Sequence, residues 1–343
     1  PYGNNHTWVA PLDRLKQHIA ERDEKPLVLG EAIAADTWID RQALLTAVGA
    51  NRPFWLPGFL DGNQEWLNRM ERVVGHVDEA ALAKDSKHFA FSMRKYQIET
   101  YRREVPFGGY VVSVIRDFPL ASMGLIDFLG RPKWPPAAWD WHGETMIVLK
   151  TAADRRSVTG GTDFEADLIV SHFGQRPVED AKLTTLVLFD DGKVISRHTT
   201  RVAKIDAGEV KEVFQLTAEL PQVVRPRRIV VRAQLQGNSQ VFENEWSMWL
   251  IPADQTIPVE KLALHRSCSD ELRELFAGAP GFQDTDHDSL VVASRFDRAL
   301  IDFADSGGRV FLIPDGEGGS LPTNNLWFLR GGPFIAEHPF NST

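Results

Sequence analysis

Cysteine is almost missing from this chain: Cys268 is the single one among 343 residues. No intrachain disulfide can form, and cysteine usage says nothing of the redox compartment. Long apolar runs are also missing, and none approaches the roughly 20 residues that a membrane-spanning helix needs. There is no excess of positive charge. Lys and Arg number 38 against 47 Asp and Glu, for a net charge of −9. Both signs are spread along the sequence, whereas nucleic acid or an anionic membrane as main partner would call for a basic patch. None of the ten histidines stands in an H-x-x-x-H pair, and a single cysteine cannot make C-x-x-C. Neither a metal nor a cofactor is expected. The glycine-rich stretch Asp315-Gly316-Glu317-Gly318-Gly319 is acidic and lacks the G-K-[ST] ending of a phosphate-binding loop, so it reads as a flexible loop. The start, Pro1-Tyr2-Gly3-Asn4-Asn5-His6, has no initiator methionine, basic n-region or apolar h-region. With an ending at Pro339-Phe340-Asn341-Ser342-Thr343, the expectation is a piece of a longer protein.

What is present is an ordinary globular composition, 43% hydrophobic and 25% charged, in a chain long enough for two or three domains. Three regions differ in pattern. Residues 1–150 alternate helix and strand: a helix begins at Pro11-Leu12-Asp13, a strand covers 26–31, helices cover 39–48, Gln64–Val74 and Ser86–Arg103, and a second β-branched strand runs from Tyr110 to Ile115 and ends at Arg116-Asp117. Helices alternating with strands read as an α/β architecture with parallel strands. Residues 151–253 hold short alternating strands, among them Leu183–Phe189 and Lys193–His198 around the hairpin signal Asp190-Asp191-Gly192, and Arg228–Leu235. Six or seven strands in this space point to an immunoglobulin-like β-sandwich. Residues 254–343 alternate again, with strands at 290–293 and 309–313 and a helix at Phe296–Asp305 before Gly307-Gly308; this reads as a small doubly wound α/β unit.

The apolar run Pro26-Leu27-Val28-Leu29-Gly30-Glu31 closes on a carboxylate. Barrels of the (β/α)8 kind present catalytic acids in this way, because their active sites lie at the C-terminal ends of the strands. Two strands cannot close a barrel, so the expectation is an incomplete C-terminal part of a TIM barrel.

Three stretches, in this order, carry a family resemblance: Lys25-Pro26-Leu27-Val28-Leu29-Gly30-Glu31; Gln97-Ile98-Glu99-Thr100-Tyr101-Arg102-Arg103 with Gly109-Tyr110-Val111-Val112-Ser113; and Gly124-Leu125-Ile126-Asp127-Phe128-Leu129-Gly130-Arg131-Pro132-Lys133. They resemble the seventh barrel strand, the last barrel helix with strand eight, and the following G-L-x-D-x-x-x-x-P-K stretch of glycoside hydrolase family 2. This is the β-galactosidase, β-glucuronidase and β-mannosidase group. The sandwich, closing with Asn244-Glu245-Trp246-Ser247-Met248-Trp249, is similar to the domains that flank such barrels, and the final unit resembles amidotransferase-like modules appended to some large glycosidases. The chain departs from the family's pattern at Ala32-Ile33-Ala34, where Tyr or Phe and then Gly are usual.

The resemblance implies a retaining hydrolase of β-linked glycosides with Glu31 as nucleophile and the acid/base on strand four, in a missing N-terminal part. Carbohydrate and that missing part are the implied partners, and a secreted or periplasmic location follows from the resemblance only. Asp117, on the same rim, is a candidate to bind a sugar hydroxyl, or else a surface pair with Arg116 or a loop cap. Asn5 and His6 stand where the sixth strand would end; His6 is a candidate to hydrogen-bond substrate or orient Glu31, or is a polar loop residue. Trp38, on the loop after Glu31, is a candidate sugar platform or a core residue. Cys268 reads as structural, because it lacks the small-residue elbow of an exposed nucleophile. The competing reading is non-catalytic: a carbohydrate-binding or structural module of a glycosidase-like protein.

Overall fold

The computed structural model describes residues 28–50, 76–106, 108–118, 121–237, 240–253, 259–284 and 287–313, with scattered positions within 16–21 and 60–71. The chain forms two compact units. The first joins the described parts of 1–40 to 83–254; the second joins those of 41–82 to those of 255–343. Residues 41–82 thus group with the C-terminal region.

In the first unit, strand β1 (Val28–Ile33) pairs in parallel with β2 (Gly109–Val112). Between them in sequence runs the long helix α2 (Glu79–Glu104), which follows the short α1 (Arg41–Val48) of the other unit. Helix α2 starts seven residues before the expected Ser86, because Asp78 caps it by accepting from the amides of Ala80 and Ala81. It ends on Arg102 and Arg103, charges that suit a helix C-terminus. A cluster of Ile33, Ile98, Tyr101, Val105 and Met146 packs the pair against this helix. Among the described residues β1 and β2 form a two-stranded sheet, and the remainder of a barrel is not among them.

Two expectations are corrected here. Glu31 does not close its strand: β1 continues through Ile33, which is 0% exposed and anchors the cluster. The second strand stops at Val112, so Asp117 lies in the segment beyond it rather than at a strand end.

The sandwich has eight strands among the described residues: β3 (Thr145–Lys150), β4 (Ser157–Thr159), β5 (Asp163–His172), β6 (Val178–Phe189), β7 (Val194–Ile205), β8 (Glu209–Glu219), β9 (Arg227–Gly237) and β10 (Gln240–Ile251). They form two sheets, β3-β5-β8 and β4-β10-β9-β6-β7. Two-residue alternation builds the core. Ile229, Val231, Ala233 and Leu235 point inward from β9, and Trp246, Met248 and Leu250 from β10. The β6–β7 hairpin turns at Gly192, whose φ of 85° suits glycine.

The C-terminal sheet, β11 (Leu262–Leu264), β12 (Leu290–Ala293) and β13 (Arg309–Leu312), is parallel throughout. Helices α3 (Asp270–Leu275) and α4 (Arg298–Asp305) link its strands. One face packs Leu262, Leu264 and Val292 with Cys268, Leu272 and Phe276. The other packs Ala263, Val291 and Ala293 with Leu300 and Phe303. The strand order runs in one direction, β11-β12-β13, so the described strands contain no point where a doubly wound sheet reverses.

Candidate functional site

The barrel reading puts its rim at the ends of β1 and β2. Position 31 lies in β1 where the register slips between Leu29 and Ile33: Leu29 pairs with Tyr110 and Ile33 with Val112. Such bulges interrupt the side-to-side alternation of a strand and re-aim its residues. The side chain of Glu31, and the whole of Asn5, His6 and the 315–319 stretch, lie outside the described residues. Trp38 is half-buried on the loop after β1, and its amide donates to Ser86 Oγ at 2.7 Å.

Beneath the rim stands a buried clamp that the sequence did not foretell. Arg94 of α2 is 0% exposed. Its guanidinium donates to Ile33 O at 3.1 Å and Ser113 O at 3.2 Å, and also to Met123 O. One cation thereby holds the exits of both strands and the segment that follows. Burial lowers its pKa to about 10, against the opposing pull of Asp36 and Asp117.

Asp117 and Lys133 form the second half, with side chains 2% and 3% exposed and an N–O distance of 2.7 Å. Lys133 also donates to Thr37 Oγ1 and Ser122 O, both at 2.7 Å. Asp117 Oδ1 accepts from Gly124 N at 2.8 Å. Burial raises the Asp117 pKa and lowers that of Lys133, and each partner works against the shift of the other.

This arrangement accounts physically for the 124–133 stretch. A Cβ on Gly124 would stand 2.3 Å from Asp117 N, so only glycine fits. Asp127 accepts from the amides of Leu129 and Arg131, both at 2.9 Å, and closes a turn. Lys133 returns to the ion pair. Asp117 is thus a loop cap with a buried cation partner. The partner is Lys133 and not the neighbouring Arg116, which donates to Phe128 O.

A second buried network joins α2 to the sandwich. Glu99 accepts from Trp246 Nε1 at 3.0 Å to each carboxylate oxygen, and from Asn244 Nδ2 at 2.8 Å. Lys95 donates to Glu99 and to Asn244 Oδ1, with its ammonium 4.3 Å from the Trp141 ring centre and 5.3 Å from that of Trp246. Burial lowers the Lys95 pKa, and Glu99 opposes the shift. The network borders an open groove of about 780 Å³.

In the second unit, His265 contacts Ser267 Oγ through Nδ1 at 2.8 Å and Asp297 Oδ2 through Nε2 at 3.1 Å. The serine oxygen also accepts from the amides of Ser294 and Arg295, and Asp297 caps α4 through Leu300 N. The hydroxyl is a tie between the loops after β11 and β12. Cys268 is buried, and its Sγ donates to Val292 O at 3.2 Å. Among the described residues no cluster of His, Cys, Asp and Glu could hold a metal ion, and no helix is long and apolar enough to cross a membrane.

Residues 162–252 match the model of a domain of unknown function, DUF8488. No curated protein matches the chain. Solved structures with local likeness include an exo-chitosanase of Amycolatopsis orientalis, at 14% identity over 52% of this chain and 21% of that one, with a TM-score of 0.36. A β-glucuronidase of glycoside hydrolase family 2 matches at 15% identity over 54% and 21%, with a TM-score of 0.27. The C-terminal domain of Wzt matches at 12% over 34% and 77%, with a TM-score of 0.26. The match spans about a fifth of each of the two enzymes. Glycoside hydrolase family 2 enzymes are thus among the structural neighbours at low identity and low TM-score, and likeness of this size carries no argument for an activity.

Proposed function

We propose that this chain is the C-terminal part of a retaining β-glycoside hydrolase of the family 2 kind, with Glu31 as nucleophile and the acid/base in an N-terminal part. Retaining enzymes need two carboxyl groups about 5–5.5 Å apart, one to attack the anomeric carbon and one to protonate the leaving oxygen and then activate water. The observation that carries this reading is the placement of position 31. It lies in a strand joined through a long helix to a parallel neighbour, at a register slip of the kind that re-aims side chains beside active sites. The clamp formed by Arg94, Asp117 and Lys133 supports it by fixing the exits of both strands. In the sandwich, the antiparallel pairing within β3-β5-β8 and within β10-β9-β6-β7 supports the immunoglobulin-like reading of that domain.

The test is Glu31→Gly in the chain joined to its N-terminal part. Turnover of an aryl β-glycoside is expected to fall to background and to return with azide as a β-to-α inverted glycosyl azide. Unchanged turnover overturns the assignment. The 343-residue chain alone is expected not to hydrolyse the same substrate.

A second reading, a non-catalytic carbohydrate-binding or structural module, draws on Asp117. Its carboxylate is engaged by Lys133 and Gly124 rather than open to a sugar hydroxyl.

A further inference from the structure

We propose that the groove lined by residues of α2, β9 and β10 binds a neutral oligosaccharide. At about 780 Å³ it falls within the size range of small-molecule sites. The inference does not depend on Glu31 being a nucleophile.

Three features define the ligand chemistry. The first is aromatic. Trp249 faces outward on β10 and is 54% exposed, whereas the inward-facing Trp246 and Met248 are 4% and 1% exposed. Phe91 and Trp141 line the same groove. An exposed indole among polar groups offers a flat apolar surface to the C–H face of a sugar ring.

The second feature is charge. The lining holds four cations, Lys95, Arg156, Arg228 and Arg232, and four anions, Glu99, Asp154, Glu243 and Glu245. The wall is balanced, so it offers no net attraction to a polyanion or a polycation.

The third is hydrogen bonding. On the sheet face Arg232 is opposite Glu245 and Arg228 opposite Trp249. Arg232 donates to Glu245 at 2.9 Å, and Arg228 donates to Ser247 Oγ at 2.7 Å. Donors and acceptors thus stand side by side in the lining. A hydroxyl both donates and accepts, so a sugar bearing several hydroxyls can join this ladder without breaking its pairs. A carboxylate or an ammonium would have to displace one member.

The test uses the full chain and neutral β-linked hexasaccharides built from glucose, mannose or N-acetylglucosamine, with hexagalacturonate as the anionic control of equal length. Binding is followed by calorimetry and tryptophan fluorescence. At least one neutral hexasaccharide is expected to bind saturably and more tightly than the anionic control. Trp249→Ala is expected to weaken that binding about tenfold, and Arg232→Ala to weaken it as well. Glu31→Gln should leave it unchanged. Circular dichroism and thermal melting confirm that the variants fold. No saturable binding by any neutral hexasaccharide overturns the proposal, as does tighter binding of hexagalacturonate. Binding lost in Glu31→Gln but kept in Trp249→Ala would also overturn it, while leaving the Glu31 assignment standing.

Discussion

Arg94 and Lys95 are consecutive residues of one helix, yet they serve two unlike buried networks. Arg94 works almost wholly on main chain, accepting nothing and donating to the carbonyls of Ile33, Ser113 and Met123. Its companions Asp117 and Lys133 are sealed in. Lys95 works on side chains, Glu99 and Asn244, and its own side chain is 15% exposed at the wall of a groove. Carbonyl ligation fixes backbone and suits a support. Side-chain ligation that reaches an opening leaves polar groups within range of a ligand. Buried ionic groups of the first kind are costly to desolvate and more costly to break, whereas those of the second can relax toward water.

The largest expected effect tests the sealed network. Lys133→Ala removes the partner of a buried carboxylate and is expected to cost about 3–5 kcal/mol, read by urea denaturation. The double variant Asp117→Asn/Lys133→Met should cost less than Lys133→Ala alone. If the single variant proves as mild as a surface change, the clamp does not support the strand exits.

Glu99→Leu is expected to cost about 2–3 kcal/mol, since it strands the Trp246 and Asn244 donors and a lysine that can turn to solvent. A loss as large as that of Lys133→Ala would erase the distinction between the two networks. Gly124→Ala follows, at about 1–2 kcal/mol, because the new methyl meets backbone that must shift. Its effect should persist in an Asp117→Ala background, because the atoms the methyl meets are main chain.

The smallest effect is a pH dependence of the sealed pair. The folded pKa of Asp117 is raised above its ordinary 3.8, so the folded state binds its proton more tightly than the unfolded chain does. Wild-type stability measured against Asp117→Asn should therefore decline as pH rises from 3.8 to the raised folded value, then level off. The slope should not exceed about 1.4 kcal/mol per pH unit. A relative rise over that window would contradict the direction of the shift.

Much of the sandwich was legible because alternation is a local signal. The inward positions of β9 announce themselves as Ile229, Val231, Ala233 and Leu235, and Asp190-Asp191-Gly192 marks the β6–β7 turn. Strands β3 and β4 were not foreseen; β3 is nearly continuous apolar sequence and β4 is three residues long. The end of β1 was misread by two residues because a glutamate looks like a terminus, while the burial of Ile33 depends on α2, far along the chain. Arg94 and Lys95 carry no local mark, since each reads as an ordinary helix cation. The family-like stretches did contain a signal of another sort. Glu99 of the second stretch meets Asn244 and Trp246 at the close of the sandwich, and Lys133 of the third meets Asp117. The motif letters were readable, but their pairings exist only once the chain has folded.

Helix α2 has a practical consequence for dissecting the protein. A scissor cut after residue 150 would strip Asn244 and Trp246 from Glu99 and Ser171 from Arg102. It would leave an orphaned carboxylate and bare apolar flank along the very rod that grips the strand exits. The smallest excisable piece bearing β1 therefore has to keep its sandwich attached.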